Sequence, residues 1–230
     1  MRCVLLLAGV AFVATFAAIS DGDHGKKEST DVKSVHGEHK ENAELAQFHV
    51  LFRHARQEQS RGILTLKNTS NNKDRVKLLK NYIQKLSQEG EKAKKEVEDK
   101  GYTPKAHEIP QKQSLKEAVT NIVKNIAFFA EAVANFPKRM KKEFVENEKF
   151  KGLVEWGLDF SDKMDLYDDD TKKIVEIAKI ELEVLPRPEG FVNPYFKTKE
   201  QKQQELYEEN KRREAEKKDP KKPRKDKNEL

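Results

Sequence analysis

The sequence predicts an all-α fold, a single helical bundle of about five to six helices with a charged, partly helical or disordered C-terminal tail. Apolar residues recur at alternating spacings of four and three between Leu115 and Phe136, which is the period of a helix face. No convincing period-two strand pattern occurs. Charged residues make up 37% of the chain, yet residues 43–185 hold most large apolar side chains. The core is therefore expected in that central part.

The N-terminus has the layout of a secretory signal peptide. Arg2 precedes an uncharged run from Val4 to Ile19, and Ser20 is a small residue at the expected cleavage position. A buried helix or a retained anchor is the alternative, but the run is short for a membrane span of about twenty residues. We expect residues 1–20 to be removed together with Cys3, the only cysteine. No second stretch is long enough to predict a transmembrane segment.

Residues 21–42 are polar, and their composition predicts a disordered segment. The first bundle helix should follow, continuing past Gly62 although glycine weakens a helix by up to about 1 kcal/mol. A second helix is marked by Val76, Leu79, Ile83 and Leu86.

The strongest helix signal spans residues 114–136. Ser114 and Glu117 have the spacing of a capping box. Glu131 is expected on the polar side of this helix, together with Lys124. Pro137 should end it, because the residue before proline disfavours helical geometry.

Two further regions complete the predicted bundle. One or two helices should follow Pro137 and extend to Phe160, and the last core helix should begin near Thr171. The run of aspartates from Asp168 to Asp170 suits the N-terminus of that last helix. The twelve-residue acidic stretch that begins at Asp159 does not fit an EF-hand loop, because its sixth position is Met164 rather than glycine and its twelfth is Asp170 rather than glutamate.

Residues 186–197 form a segment rich in proline and aromatic residues that we call the strap. It either packs its aromatic side chains onto the bundle or forms a docking segment for a partner. The candidate contact residues are Phe191, Val192, Asn193, Pro194, Tyr195 and Phe196.

Residues 198–230 form the charged tail, predicted to be helical and then disordered. Glutamates precede arginines by four residues at Glu208 and Arg212 and at Glu209 and Arg213, an order that favours a solvated helix. The basic residues near the C-terminus suggest nucleic-acid binding, but interspersed acidic residues and the expected route into the secretory pathway argue against it. We expect no nucleic-acid partner.

No pattern of residues indicates catalysis. The sequence has no G-x-S-x-G, H-E-x-x-H or phosphate-loop motif. His24, His36 and His39 lie in a polar segment, and the five-residue spacing of His49 and His54 turns them to different helix faces. We expect no catalytic, cofactor or metal site and therefore no enzyme.

Two short motifs indicate the secretory pathway. Asn68-Thr69-Ser70 is an N-glycosylation acceptor, so we expect a glycan at Asn68. Lys227-Asn228-Glu229-Leu230 differs at one position from the Lys-Asp-Glu-Leu retrieval signal, so a retrieval receptor of that type is an expected partner. The expected location is the endoplasmic-reticulum lumen, with secretion of part of the protein.

The segment from Leu115 to Phe160 resembles the coiled-coil domain-containing protein 134 family. The matching motifs are Asn-Ile-Ala-Phe-Phe at 125–129, Phe136-Pro137 and Trp156-Gly157, and Asn-Pro-Tyr-Phe-Lys at 193–197 extends the similarity. The resemblance implies a helical secretory-pathway protein that supports endoplasmin biogenesis by limiting its aberrant N-glycosylation at the oligosaccharyltransferase of the translocon. This chain has Ser161 to Met164 where vertebrate members carry a glycosylation site.

Two functional hypotheses follow. The first is a non-catalytic lumenal adaptor that assists a chaperone and has endoplasmin and the oligosaccharyltransferase as partners. The alternative is a secreted, cytokine-like helical regulator that dampens mitogen-activated protein kinase signalling, which the resemblance also implies.

Overall fold

The computed structural model describes the backbone of residues 33–218, with side chains from residue 43 to 214 except at 199, 202 and 205. These residues form seven α-helices and no strand, which confirms the all-α prediction. The helices are α1 (Lys33–Asn68), α2 (Asn72–Asp99), α3 (Gln113–Asn135), α4 (Pro137–Glu146), α5 (Glu148–Met164), α6 (Asp169–Glu181) and α7 (Lys199–Lys218).

Helix α1 begins earlier than the sequence suggested. Residues 33–42 were expected to be disordered, but they are helical from Lys33 onward. Extending an existing helix adds a hydrogen bond for each residue that is fixed, and this stretch contains no proline. Helix α1 also continues through Gly62, where a Cβ atom would lie 3.7 Å from the Phe128 ring of α3. An alanine at this position would therefore make an ordinary van der Waals contact with that ring.

Helix α3 is the centre of the bundle and packs against α1, α2, α4, α5 and α6. Most of its predicted apolar stripe is buried, and Val123, Phe129 and Val133 are fully inaccessible to solvent. Leu115 and Phe136, at the two ends of the stripe, are partly buried. Small residues at Ala127, Ala130 and other positions leave room for neighbours around most of the helix. The helix ends at Asn135, and Pro137 opens α4, as predicted.

Two predicted details of helix α3 are wrong. Lys112 rather than Ser114 is the N-cap residue, and it makes no side-chain capping bond. Ser114 lies inside the helix, and its buried hydroxyl has no hydrogen-bond partner. Glu131, expected on the polar side, is only 8% exposed because α1 covers that side of the helix.

Helices α5 and α6 complete the core, and α4 contacts both of them. Gly157 lets α5 approach α3 so closely that an added Cβ would lie 2.6 Å from Ile126 Cδ1. Asp168 accepts a hydrogen bond from the Thr171 backbone N–H at 2.8 Å, which confirms the predicted acidic N-terminus of α6. Burial opposes ionisation of Asp168, but the hydrogen bonds from Thr171 hold its pKa below the ordinary value.

Helix α7 forms most of the described part of the tail, as predicted. Thr198 and Gln201 exchange hydrogen bonds between backbone N–H groups and side-chain oxygens at 2.8 and 3.2 Å, which is a capping box. Glu209 accepts a hydrogen bond from Arg213 at 2.7 Å. Leu206 and Tyr207 are both exposed, so neither of these side chains packs into the core of the bundle.

Candidate protein-binding surface

The strap is fastened to the bundle by a polar side chain. Asn193 is only 7% exposed, although its neighbours Val192 and Pro194 are exposed. Its Nδ2 donates to the Ala134 carbonyl at 2.9 Å and to Glu181 Oε1 at 3.0 Å. Ala134 lies in the last turn of α3, where carbonyl groups have no partner within the helix. Asn193 therefore links the strap to the ends of α3 and α6.

A second interaction holds the beginning of the strap. Arg187 donates to Glu181 Oε2 at 2.9 Å, and its guanidinium lies 4.8 Å from the centre of the Phe191 ring. Glu181 thus receives hydrogen bonds from Arg187 and Asn193 through different oxygens. The half-buried carboxylate of Glu181 therefore binds both the beginning of the strap, at Arg187, and its middle, at Asn193.

The apolar side chains of the strap are only partly covered. Phe191 and Phe196 are half-buried, whereas Val192 is 62% and Tyr195 is 38% exposed. Val184 and Leu185, which connect α6 to the strap, are also exposed. The strap is therefore attached mainly through Asn193 and Arg187, and it leaves apolar surface accessible. This arrangement is compatible with the predicted docking segment.

Asn193→Ala is expected to loosen the strap and to destabilise the protein by about 1–3 kcal/mol, because the buried Ala134 carbonyl loses its hydrogen-bond donor. Asn193→Asp should be at least as harmful, since it removes both donors and places a carboxylate beside Glu181. Hydrogen exchange of residues 186–197 and urea denaturation measure the two effects.

Asn210→Ala on the exposed face of α7 is the matched control and should change neither quantity. Unchanged exchange of the strap in both Asn193 variants would show that another contact holds the segment.

The acidic region between α5 and α6 forms local ion pairs. Asp165 adopts a left-handed conformation at the end of α5 and lies 2.7 Å from Lys172 Nζ and 3.2 Å from His107 Nε2. The hydrogen bond from Lys172 holds the pKa of Asp165 below its usual value. No group of three or more potential metal ligands occurs among the described side chains. These carboxylates shape the turn and the start of α6.

The predicted glycosylation residue lies at the end of α1. Asn68 is exposed and is the last residue of that helix, and Ser70 is exposed in the connection to α2. Thr69 between them is partly buried, and its hydroxyl donates to the Thr65 carbonyl at 2.9 Å. The Asn68 glycan stays a prediction. The predicted signal peptide (1–20) and the retrieval sequence (Lys227, Asn228, Glu229 and Leu230) lie outside the described residues.

Sequence reasoning missed a polar cluster between α1 and α3. Arg56 Nη2 lies 2.6 Å from Glu131 Oε2, and Ser60 Oγ donates to the same oxygen at 3.2 Å. Arg56 Nη1 donates to Gln59 Oε1 at 2.6 Å, and Gln59 in turn donates to the Lys124 carbonyl at 3.0 Å. Both charged members, Arg56 and Glu131, are buried. The cluster is therefore suited to positioning α1 rather than to meeting a substrate.

Together, these features define the class of the protein, a helical bundle with an attached strap that exposes part of its apolar surface. The family model described as "ERK and JNK pathways, inhibitor" matches residues 33–229, and the chain belongs to this family. It is the coiled-coil domain-containing protein 134 family, which confirms the resemblance, and it is not a known enzyme family.

Two curated relatives show the extent of the similarity. The chain is 33% identical over 91 residues to coiled-coil domain-containing protein 134 of Mus musculus, covering 39% of each chain. It is 27% identical over 88 residues to the protein of the same name from Xenopus tropicalis, covering 38% of each. The matched part thus spans about two fifths of these relatives' length. No solved structure matches the chain. Among the described residues, no helix has the length and apolar character needed to cross a membrane.

Proposed function

We propose that this protein is a non-catalytic adaptor that binds other proteins in the lumen of the endoplasmic reticulum. The observation that carries the proposal is the strap, which is fixed to the bundle through Asn193 while Val192 and Tyr195 remain accessible. A fixed segment loses little conformational entropy when a partner binds, and exposed apolar side chains provide surface to bury.

The proposed partners are endoplasmin and the oligosaccharyltransferase of the translocon. In this proposal the adaptor holds nascent endoplasmin and limits its aberrant N-glycosylation. The retrieval sequence from Lys227 to Leu230 would return the adaptor to the endoplasmic reticulum. Replacing Leu230 with alanine should then shift protein from cells to medium.

Affinity purification from microsomes tests the partners. The wild-type protein, tagged internally so that its C-terminus stays free, should recover endoplasmin or oligosaccharyltransferase subunits. A Val192→Ser/Tyr195→Ser variant should recover much less, because it removes exposed apolar contacts without opening the core. A Val50→Ser/Val145→Ser variant is the matched control, since these residues are exposed on α1 and α4.

Two results would count against the adaptor. One is the absence of both partners from the wild-type eluate under conditions that preserve lumenal complexes. The other is equal recovery by the strap variant and the wild type, which would move the contact away from Val192 and Tyr195.

A second candidate is a secreted regulator that dampens ERK and JNK signalling, and the family description favours the signalling part of this proposal. Purified protein added to the medium of stimulated cells should then lower the phosphorylation of both kinases. The adaptor proposal makes a different prediction: added protein has no effect, and only protein expressed inside the secretory pathway lowers the phosphorylation. In that case signalling would change because lumenal client proteins mature differently.

A further inference from the structure

One end of the bundle is rich in cations. Helix α1 ends there, α2 begins there, and α4 begins just after α3 ends. Lys67 Nζ donates to Asn135 Oδ1 at 2.9 Å, and Arg75 donates to the Thr69 carbonyl at 2.9 Å. These two contacts join the end of α1 to the end of α3 and to the beginning of α2. We call Lys67, Lys73, Arg75, Lys77, Lys80 and Lys138 the basic end.

Three lysines of the basic end form a stripe along α2. Lys73, Lys77 and Lys80 are exposed and are spaced by four and three residues, so they project from the same side of the helix. Their Cα atoms are separated along the helix axis by about 6 and then about 4.5 Å. Asp74, in the first turn of α2, lies to one side of this stripe. The stripe therefore presents a run of positive charge.

Carboxylates within the described chain do not neutralise this stripe. No described carboxylate lies within 4.0 Å of the ammonium groups of Lys73, Lys77, Lys80 or Lys138. The second half of the same helix is different, since Lys92 pairs with Glu89 at 3.6 Å and Lys94 with Glu98 at 3.7 Å. Lys67 and Arg75 bind neutral oxygens and retain further N–H donors.

The positions of these cations oppose helix stability. Lys73 and Arg75 lie in the first turns of α2, and Lys138 is the second residue of α4. The N-terminus of a helix carries partial positive charge, so cations there are unfavourable and an anion is favoured. An external anion would therefore gain from both the side chains and the helix termini.

We propose that the basic end is a docking surface for an acidic segment of a partner protein. Extended chain places alternate side chains about 6.8 Å apart, so its carboxylates can pair with flexible lysines at the spacing of the stripe. A membrane surface fits less well, because α2 has no large exposed apolar side chain to insert beside the lysines. This inference goes beyond the proposed function and does not rest on it, since it concerns cations of α1, α2 and α4 rather than Val192 and Tyr195 of the strap.

Peptide binding tests the proposal with the purified full chain. The probe is a fluorescein-labelled twelve-residue peptide of alternating glutamate and glycine, and its glutamine counterpart is the uncharged control. The wild type should bind the glutamate peptide at low salt and lose affinity as salt rises. Lys73→Gln/Lys77→Gln/Lys80→Gln should weaken binding by about tenfold, the size expected from losing three exposed ion pairs.

A second variant separates local recognition from net charge. Lys92→Gln/Lys95→Gln/Lys100→Gln removes the same charge from the opposite end of α2 and should change affinity less than about twofold. Equal weakening by both triple variants would overturn the proposal, as would absence of binding by the wild type. Concentration-dependent self-association that disappears in the Lys73/Lys77/Lys80 variant would identify a second copy of this chain as the occupant and would also overturn it.

Vesicles provide the remaining test. Phosphatidylserine vesicles that bind the protein through Lys73, Lys77 and Lys80 and displace the peptide would make the membrane the preferred occupant, contrary to the proposal. A failed pull-down of lumenal partners would leave peptide binding unaffected, so the two proposals fail independently.

Discussion

Glu131→Ala should destabilise the protein by about 3–5 kcal/mol, because it removes one member of a buried ion pair. Glu131 Oε2 accepts hydrogen bonds from Arg56 at 2.6 Å and from Ser60 at 3.2 Å. Arg56 is only 9% exposed and would keep its charge with Gln59 as its remaining side-chain partner. Domains of this size have a free energy of unfolding of about 5–15 kcal/mol, so the loss is a large part of the total.

Urea denaturation measures this effect. Circular dichroism at about 222 nm reports the helices, and fluorescence of Trp156, the only tryptophan, reports the packing of α5. Glu131→Gln should be milder than Glu131→Ala, because its amide oxygen still accepts a hydrogen bond from Arg56.

The double variant Arg56→Met/Glu131→Leu separates charge from packing. Replacing both charged residues with apolar ones of similar volume removes the desolvation cost along with the attraction, so stability should recover most of the loss. A double variant as unstable as Glu131→Ala would show that the ion pair itself stabilises the bundle. A Glu131→Ala variant within about 1 kcal/mol of the wild type would show that Arg56 finds another partner or water.

Hydrophobic periodicity in the sequence could not predict this ion pair. The apolar stripe of α3 was evident from its spacing because each residue of the stripe faces the same direction. Glu131 lies outside the stripe, so its environment depends on whether another helix covers that side. Helix α1 does so with Arg56, 75 positions away in sequence, and local pattern contains no information on such a pairing.

The helix boundaries show the same contrast between local signals, which the sequence reveals, and tertiary contacts, which it does not. Pro137 and Asp168 act locally, through backbone geometry and through a hydrogen bond three residues away, and both predictions were confirmed. Ser114 had the right spacing for a capping box, but α3 has already begun at Gln113. The capping box occurs instead at Thr198 and Gln201, where the chain enters a helix with few tertiary contacts.

The sequence did not predict how the strap is attached to the bundle. The composition of the strap indicated that its aromatic residues would either pack or bind a partner. The structure buries Asn193 instead, because the terminal carbonyl of Ala134 and the carboxylate of Glu181 both need a donor. An asparagine between Val192 and Pro194 gives no sequence signal of that role. Contacts between distant helix ends decide which residues of the strap stay accessible.

Phe129→Ala is expected to cost about 3–5 kcal/mol, because it empties a large volume in the middle of the core. The Phe129 ring is fully buried and meets the Phe150 ring edge-on, with their centres 5.6 Å apart. Helices α3 and α5 both lose contacts when this ring is removed, and the surrounding bundle cannot close the cavity fully without moving a helix.

Phe128→Ala provides the matched control on the same helix. Phe128 is half-buried, and its ring centre lies 4.5 Å from that of Tyr82. Less apolar area is removed from water at this position, so the loss of stability should be clearly smaller than for Phe129→Ala. The two losses of stability are compared through the urea concentrations at the midpoint of unfolding, provided that the dependence of the unfolding free energy on urea concentration is the same in both variants. If Phe128→Ala is the more harmful substitution, the contact between α2 and α3 rather than the one between α3 and α5 is the stronger part of the core.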